Sequence, residues 1–337
     1  MTKLTPMSTR PPSLESFSEA NRFYVELMRS PDQDEREDAL AEIAGNLDDE
    51  LAGEIRRQIA APGDTDWRLR LFEQLELELG SGLYSSPEEE DPDDGGSLSR
   101  RAIAELRVFF CRFYDDEREN PRLRRKALEV SALLPLPWHE EAVRECWSRP
   151  EPEWRLTAMV SMGHLFPIDF GVEIEEGLAS PDGALRTQAI VAADQRDLRR
   201  LGPMILKIAA DRGGELEERI CALEALPNLR PPGARALLEK LRGEAAPVGH
   251  FAADALRNLE ENERAEEYLA AVAVEDRSAF RPMGNPSFPV VAPADGRNHP
   301  SFPVVAPADG RNHRLASGTP PGCGSATGSR KGEAPPQ

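Results

Sequence analysis

The chain has 337 residues, with 41 Lys and Arg against 60 Asp and Glu, so its formal net charge is −19 at pH 7. Nucleic-acid binding rests on neutralising phosphates, and a field of this sign therefore argues against DNA, RNA and anionic membranes as partners. The first residues lack the apolar core of a secretion signal, and no long apolar window follows. We therefore expect a cytoplasmic protein without a membrane span.

Residues 1–14 are rich in Pro, Ser and Thr, and we predict that they are disordered. From residue 15 to residue 280 the chain alternates two kinds of amphipathic helical segment, and no run shows the period of two that marks a strand. Four cysteines are scattered without paired spacing, which favours a reducing compartment over a disulfide framework. They are Cys111, Cys146, Cys221 and Cys323.

A signature of the form Arg-x-x-small-apolar-x-x-apolar returns about every 32 residues in this region. A fixed period of this size indicates a stacked repeat array. We predict an all-α, right-handed α-solenoid of about seven helix pairs, with the partner helix following the signature helix. The lead arginines are Arg36, Arg68, Arg124, Arg155, Arg186 and Arg219, and a seventh copy begins at Ala252 without an arginine.

The step from Arg68 to Arg124 is 56 residues, and its excess lies at residues 80–98. Gly, Ser, Pro and six acidic residues there cannot form a packed helix, so we predict an acidic loop insertion. Insertions in repeat arrays often lie on the binding face. The carboxylates of this loop are therefore candidate partner-binding residues: Glu88, Glu89, Glu90, Asp91, Asp93 and Asp94.

The composition changes again at residue 281. The run PSFPVVAPADGRNH occurs twice, at 286–299 and at 300–313, without a difference between the copies. Such identity over 14 residues indicates a recent tandem duplication rather than two diverged structural units. With Pro and Gly so frequent, we predict a disordered tail over residues 281–337.

The signature resembles the short HEAT-like repeats of the phycobilisome-lyase type, in which a helix with an Asp/Glu-x-x-Arg-x-x-Ala pattern pairs with a second helix. The resemblance covers about residues 30–260. In HEAT arrays this arginine braces a neighbouring repeat through an acidic side chain or a carbonyl, so the resemblance implies a structural role for the six lead arginines. It implies a fold and leaves the function open, because HEAT arrays host scaffolds, adaptors, chromophore lyases, hydroxylases and DNA glycosylases.

The enzymatic relatives need residues that this chain lacks or spaces wrongly. Di-iron hydroxylases of this fold carry several His-Glu dipeptides, whereas His139-Glu140 stands alone here. Cys146 lies about two helical turns from His139, beyond the reach needed to activate a thiol. The basic clusters around Arg122 and Arg196 are too short for the stripe of a HEAT-like glycosylase. We therefore expect no catalytic residue, no metal and no cofactor.

These observations favour a non-enzymatic protein-binding scaffold or adaptor, whose partner is a protein or peptide with a basic surface. The candidate partner-binding residues outside the acidic loop are Trp138, Trp147 and Glu175. With Trp154, the two tryptophans suggest a stacking platform, but aromatic residues dominate core packing and we expect most of this area to be buried. The alternative is a HEAT-type enzyme or enzyme subunit, either chromophore-lyase-like or DNA-glycosylase-like.

Overall fold

The computed structural model describes residues 12–82 and 98–279, which form α-helices without a β-strand in either range. The helices of these ranges are α1 (Glu19–Met28), α2 (Gln33–Ile43), α3 (Asp49–Ala60), α4 (Thr65–Gly82), α5 (Arg100–Asp115), α6 (Pro121–Ser131), α7 (Trp138–Ser148), α8 (Pro152–His164), α9 (Gly171–Leu178), α10 (Gly183–Gln195), α11 (Gly202–Ala210), α12 (Leu216–Leu229), α13 (Ala234–Leu241) and α14 (Val248–Ala279). The duplicated tail and most of the predicted acidic loop lie outside the described residues.

The helices pack as consecutive hairpins, in which each odd-numbered helix contacts the even-numbered helix that follows it. We call the odd-numbered members first helices and the even-numbered members second helices. From α4 to α14 each second helix also contacts the next second helix, so the hairpins stack into one array. The described residues therefore form an all-α solenoid of seven helix pairs, which confirms the predicted fold class. Its handedness stays a prediction.

Each copy of the signature lies on a second helix, from Arg36 on α2 to Ala252 on α14. Its partner is therefore the preceding helix, and the sequence-based expectation that the partner follows was wrong. The long insertion agrees with this pairing. It lies between α4 and α5, where it separates two pairs, whereas the expected pairing would place it inside one pair. The helix α4 itself extends to Gly82, so residues 80–82 of the predicted loop are helical.

The apolar positions of the signature form the core. On α4, α8, α10 and α12, the residues three, four and seven positions after the lead arginine are all completely buried. Burying a side chain of the size of Leu or Ile stabilises the fold by about 1.5–3 kcal/mol. The core continues through α6, where Leu123 and Ala127 pack with the earlier pairs while Leu128 and Ala132 pack with the later ones.

Most lead arginines bond backwards, to the end of the first helix in their own pair. The Nε of Arg68 donates to the Ile59 carbonyl at 2.7 Å, where α3 ends. Arg124 donates in the same way to the Tyr114 carbonyl at 2.7 Å, at the end of α5. The last carbonyls of a helix have no partner within that helix, so each arginine satisfies an acceptor that needs one.

Several lead arginines also contact the pair that follows. The guanidinium of Arg36 lies 5.0 Å from the centre of the Trp67 ring, Arg68 pairs with Glu119, and Arg186 bonds Glu218 at 2.6 Å. Arg155 differs, since it stacks on Trp147 of its own pair at 4.4 Å. These contacts support a bracing role, because they join the end of one helix to the next repeat.

The last helix, α14, has 32 residues and extends well past the array. Up to residue 269, where the description of its side chains ends, its last buried apolar side chain is Leu259. Beyond Leu259, Glu260 pairs with Arg235 at 3.2 Å and Glu266 pairs with Arg230. Ion pairs therefore hold this part of α14. Within the described ranges, no helix combines the length and the hydropathy that crossing a membrane requires.

Candidate binding face

Trp138 begins α7 and is packed against its neighbours. Its ring stacks on the His139 ring with 4.0 Å between the centres, and it lies 5.6 Å from the Tyr114 ring. Its Nε1–H is buried and has no acceptor among the described residues. These contacts make Trp138 mainly a packing residue.

Trp147 lies nine residues further along α7, which places it about 13 Å from Trp138 along the helix. Arg155 covers its ring, and its Nε1 donates to Glu176 at 3.3 Å. Glu175, on α9, is exposed and lies 2.5 Å from Arg200. The two tryptophans therefore occupy opposite ends of α7, and Arg200 pairs with the carboxylate of Glu175. The binding role of the three residues stays a prediction.

The remaining candidates fall outside the described residues and stay a prediction. They are Glu88, Glu89, Glu90, Asp91, Asp93 and Asp94.

His139 and Cys146 are not arranged for nucleophilic chemistry. His139 is completely buried, with Nε2 2.9 Å from the Ser131 hydroxyl, and burial lowers the pKa of His139 to about 4. Cys146 lies 3.3 Å from the Tyr114 hydroxyl, and burial raises the pKa of its thiol. In the ranges that the structure describes, no group of three or more His, Cys, Asp or Glu side chains is placed to hold a metal ion.

The surface that the repeats share is the outer side of the second helices, at positions one, two and five after the lead residue. On α8, α10 and α12 these positions are uncharged, apart from Glu224. We call four of them, which are partly exposed, the apolar strip: Leu156, Val160, Val191 and Ile220. Thr187, Gln188 and Cys221 are also partly exposed, whereas Thr157 is buried.

A polar cluster lies beside the apolar strip, on α4, α6 and α8. The Nζ of Lys126 lies 2.6 Å from Glu76 and 3.7 Å from Glu129, and the Thr157 hydroxyl donates to Glu129 at 2.6 Å. Burial raises the pKa of Glu129. Burial opposes the charge of Lys126, but the carboxylates of Glu129 and Glu76 outweigh it and raise the pKa of Lys126 overall. The cluster therefore places one lysine between two carboxylates.

Asp194, at the end of α10, is held by an amide ladder. Asn228 donates to Asp194 at 3.0 Å, and Asn262 donates to the side-chain oxygen of Asn228 at 3.2 Å. Burial raises the pKa of Asp194 to about 6, the bond from Asn228 lowers it, and the acidic neighbours Asp197 and Glu224 raise it further. The ladder thus fixes a carboxylate among groups of the same charge.

Glu224 is the charged exception on the apolar strip. Its side chain is exposed at position five of α12, but its carboxyl group is partly surrounded by protein, and this partial burial raises the pKa of Glu224. Among the described residues, neither Asp194 nor Glu224 takes part in an ion pair. The strip therefore has two carboxylates beside it whose charge no arginine or lysine of that region balances.

Candidates chosen by residue type alone did not include this face, although the signature contains the information needed to find it. Once the lead arginine defines the frame, positions one, two and five can be compared from copy to copy. The comparison separates the charged copies on α4 and α6, such as Arg70 and Lys126, from the copies on α8 to α12, where Glu224 is the one charged residue.

No family model matches the sequence, and no curated protein is similar to it. A chain from the structure of Kap95p bound to RanGDP matches with a TM-score of 0.46 and 14% identity, over 81% of this chain and 36% of that chain. Human deoxyhypusine hydroxylase in complex with glycerol matches with a TM-score of 0.30 and 15% identity, over 71% of this chain and 95% of that chain. Similarities of this size do not bear on function, and the fold assignment rests on the helix pairs themselves.

Proposed function

We propose that this protein is a non-enzymatic scaffold or adaptor, whose apolar strip holds a basic amphipathic segment of a partner protein. The observation that carries the proposal is the position of Asp194 and Glu224 beside the strip, unbalanced by any basic side chain of the described residues. Apolar contact contributes affinity, whereas unbalanced carboxylates select the charge of the partner.

The state of Asp194 supports this proposal. A carboxylate whose pKa is raised to about 6 destabilises the folded chain at neutral pH, relative to an ordinary aspartate. A cation from a partner would favour the charged form and remove that cost. Residues that lower stability in this way are typical of functional sites.

The spacing of the second helices sets the length of the partner segment. Packed helices lie about 8–10 Å apart, so α8, α10 and α12 present a strip of about 20 Å. A helical segment of about 13 residues spans this length, since a helix rises 1.5 Å per residue. A suitable probe is therefore a labelled helical peptide of about 18 residues, with leucines on one face and lysines on the other.

Fluorescence anisotropy of this peptide with the full chain tests the proposal. We expect Glu224→Lys to weaken binding about 5- to 30-fold, because one attraction becomes a repulsion at the edge of an apolar contact. Glu141→Lys is the matched control, since Glu141 is exposed on the first helix α7 and the charge change is the same. We expect this control to change the affinity by less than about twofold.

Equal weakening by Glu224→Lys and Glu141→Lys would mean that the peptide senses only net charge, and the strip would then be rejected as the site. A second charge control is the same peptide with glutamates in place of the lysines, which we expect not to bind. Tight binding of duplex DNA at physiological salt would favour the glycosylase-like alternative instead. Tight binding of a linear tetrapyrrole would favour the chromophore-lyase-like one.

A further inference from the structure

A cavity of about 450 Å³ opens on the same face, between α2 and α4, with Arg122 of α6 at its edge. It lies where the row of second helices is loosest, because α2 and α4 lack the close contact that joins each later second helix to the next. Trp67 and Leu69 supply its apolar lining. The cavity is therefore separate from the apolar strip, at the other end of the row.

The charged lining of the cavity is mixed, with four carboxylates and three guanidinium groups: Glu37, Asp64, Asp66, Glu73, Arg36, Arg70 and Arg122. Arg36 is held by the backbone, since its Nη1 donates to the Ser30 carbonyl at 3.0 Å and its guanidinium lies over the Trp67 ring. Arg122 lies 3.4 Å from Asp66. Arg36 is thus tied to the wall of the cavity, whereas Arg122 makes one longer contact to an exposed side chain at its edge.

Arg70, unlike Arg36, is held by side chains alone. Its Nη1 lies 2.9 Å from Glu73, and its side chain is 53% exposed. The hydrogen bond to Glu73, and the charges of Glu73, Glu37 and Asp66, raise the pKa of Arg70. Three carboxylates therefore act on one guanidinium that half faces solvent.

We propose that this cavity receives an arginine side chain that the partner carries beyond the segment held by the apolar strip, and that Arg70 occupies the carboxylates of the cavity in the free protein. The idea rests on the proposed function and specifies what the partner must carry. The incoming guanidinium exchanges with that of Arg70 on Glu73 and Glu37, while its alkyl stem packs on Trp67 and Leu69. Arginine suits the site better than lysine because its planar group forms paired bonds with carboxylates and stacks on aromatic rings.

The charge balance separates this proposal from an anion site. With Arg70 displaced, four carboxylates remain against Arg36 and Arg122, so the vacated space carries an excess of negative charge. A phosphate or carboxylate ligand would be repelled there, whereas a guanidinium restores the balance that Arg70 provides in the free protein.

Fluorine NMR of the full chain labelled with 5-fluorotryptophan provides the test, since the chain has four tryptophans and Trp67→Phe identifies the relevant signal. The probe is N-acetyl-arginine amide, and its neutral isostere N-acetyl-citrulline amide is the matched control. We expect the arginine compound to shift the Trp67 signal saturably at millimolar concentration and the citrulline compound to leave it unchanged. The Trp154 signal serves as the internal reference.

The variant Arg70→Ala gives the sharpest result, because an arginine site and an anion site predict opposite changes in the affinity for the arginine compound. Removing the resident guanidinium should tighten binding of the arginine compound about 3- to 10-fold, since the site no longer has to be vacated. The double variant Glu37→Gln with Glu73→Gln should weaken it by a similar factor. Weaker binding in Arg70→Ala, or a Trp67 shift with citrate in place of the arginine compound, would overturn the proposal.

The basic probe peptide separates this proposal from the proposed function. If a version of the peptide that is lengthened towards α2, so that its terminal arginine reaches the cavity, binds the double variant as tightly as it binds the parent, the arginine site is refuted and the apolar strip stands. If the arginine compound moves the Trp67 signal but no basic peptide binds the full chain, the proposed function fails and the arginine site stands.

Discussion

The contacts of Arg186 allow the energy of one brace to be predicted. Its Nε and Nη2 donate to the two carboxylate oxygens of Glu218 at 2.6 and 2.7 Å, and its Nη1 donates to the carbonyls of Ser180 and Pro181 at 2.9 and 3.0 Å. Glu218 is only 4% exposed. Arg186 therefore joins the end of α9, in its own pair, to α12 in the next.

The substitution Arg186→Ala removes all four bonds and leaves the Glu218 carboxylate buried without its cation. Breaking a buried ion pair by removing one partner costs about 3–5 kcal/mol. The Arg186 side chain is 24% exposed, so water replaces some of the lost bonds and brings the expected loss to the lower end of that range. We expect the free energy of unfolding to fall by about 3 kcal/mol.

Urea unfolding of the full chain, followed by far-UV circular dichroism at neutral pH, measures this loss. The double variant Arg186→Met with Glu218→Leu should unfold within about 1 kcal/mol of the parent, because apolar groups of similar size replace both charges. Arg199→Ala is the surface control, since the pair it forms with Asp197 is half-exposed. It should cost less than about 0.5 kcal/mol.

A weaker link between repeats should also lower the slope of the unfolding transition, because cooperativity in an array depends on the contacts between neighbours. If Arg186→Ala costs less than about 1 kcal/mol and behaves like Arg199→Ala, the bracing interpretation of the lead arginines is wrong.

Three further predictions use the same unfolding assay. Burial lowers the pKa of His139 to about 4 from 6.5, so the unfolded chain binds a proton first as the pH falls. The free energy of unfolding should therefore drop by up to about 3 kcal/mol between pH 6.5 and pH 4, and His139→Gln should flatten this slope. Burial raises the pKa of Asp194 to about 6, so Asp194→Asn should stabilise the chain by about 1–3 kcal/mol at neutral pH, with a gain that shrinks as the pH falls below 6. If Asp194→Asn does not stabilise the chain at neutral pH, charged Asp194 does not lower the stability of the fold, and that support for the proposed function is lost. Trp138→Phe should cost less than about 1 kcal/mol, since the indole N–H that it removes is buried without an acceptor, and a larger loss would indicate an unseen partner.

The array could be predicted from the sequence because each signature helix carries its own core residues at fixed positions. Residues such as Ala189 and Ile190 recur at fixed distances from the lead arginine, and they are the positions that the structure buries completely. The pairing could not be predicted, because both neighbours of a signature helix are amphipathic. The contacts that decide it, such as the bond from Arg68 to the Ile59 carbonyl, depend on the folded arrangement.

The candidate site was harder to predict, since residue type does not show which surfaces are already covered. Trp147 is covered by Arg155, and the carboxylate of Glu175 is balanced by Arg200, which lies 25 residues away in sequence. The apolar strip, by contrast, can be found from the frame of the signature. The state of Asp194 cannot, because it depends on an amide ladder that spans three second helices.

The loss of the arginine at Ala252 follows from the forward contacts of the earlier copies. Arg186 and Arg219 each reach an acidic residue in the next pair, Glu218 at 2.6 Å and Glu244 at 3.6 Å. No second helix follows α14 among the described residues, so within those ranges an arginine at this position would have no acid of a following pair to bond. An unpaired guanidinium is costly to bury, and the position holds a completely buried alanine. The roles are reversed along α14, where Glu260 offers its carboxylate back to Arg235 of α13. The last helix of the described array thus supplies carboxylates to an arginine on the first helix of its own pair.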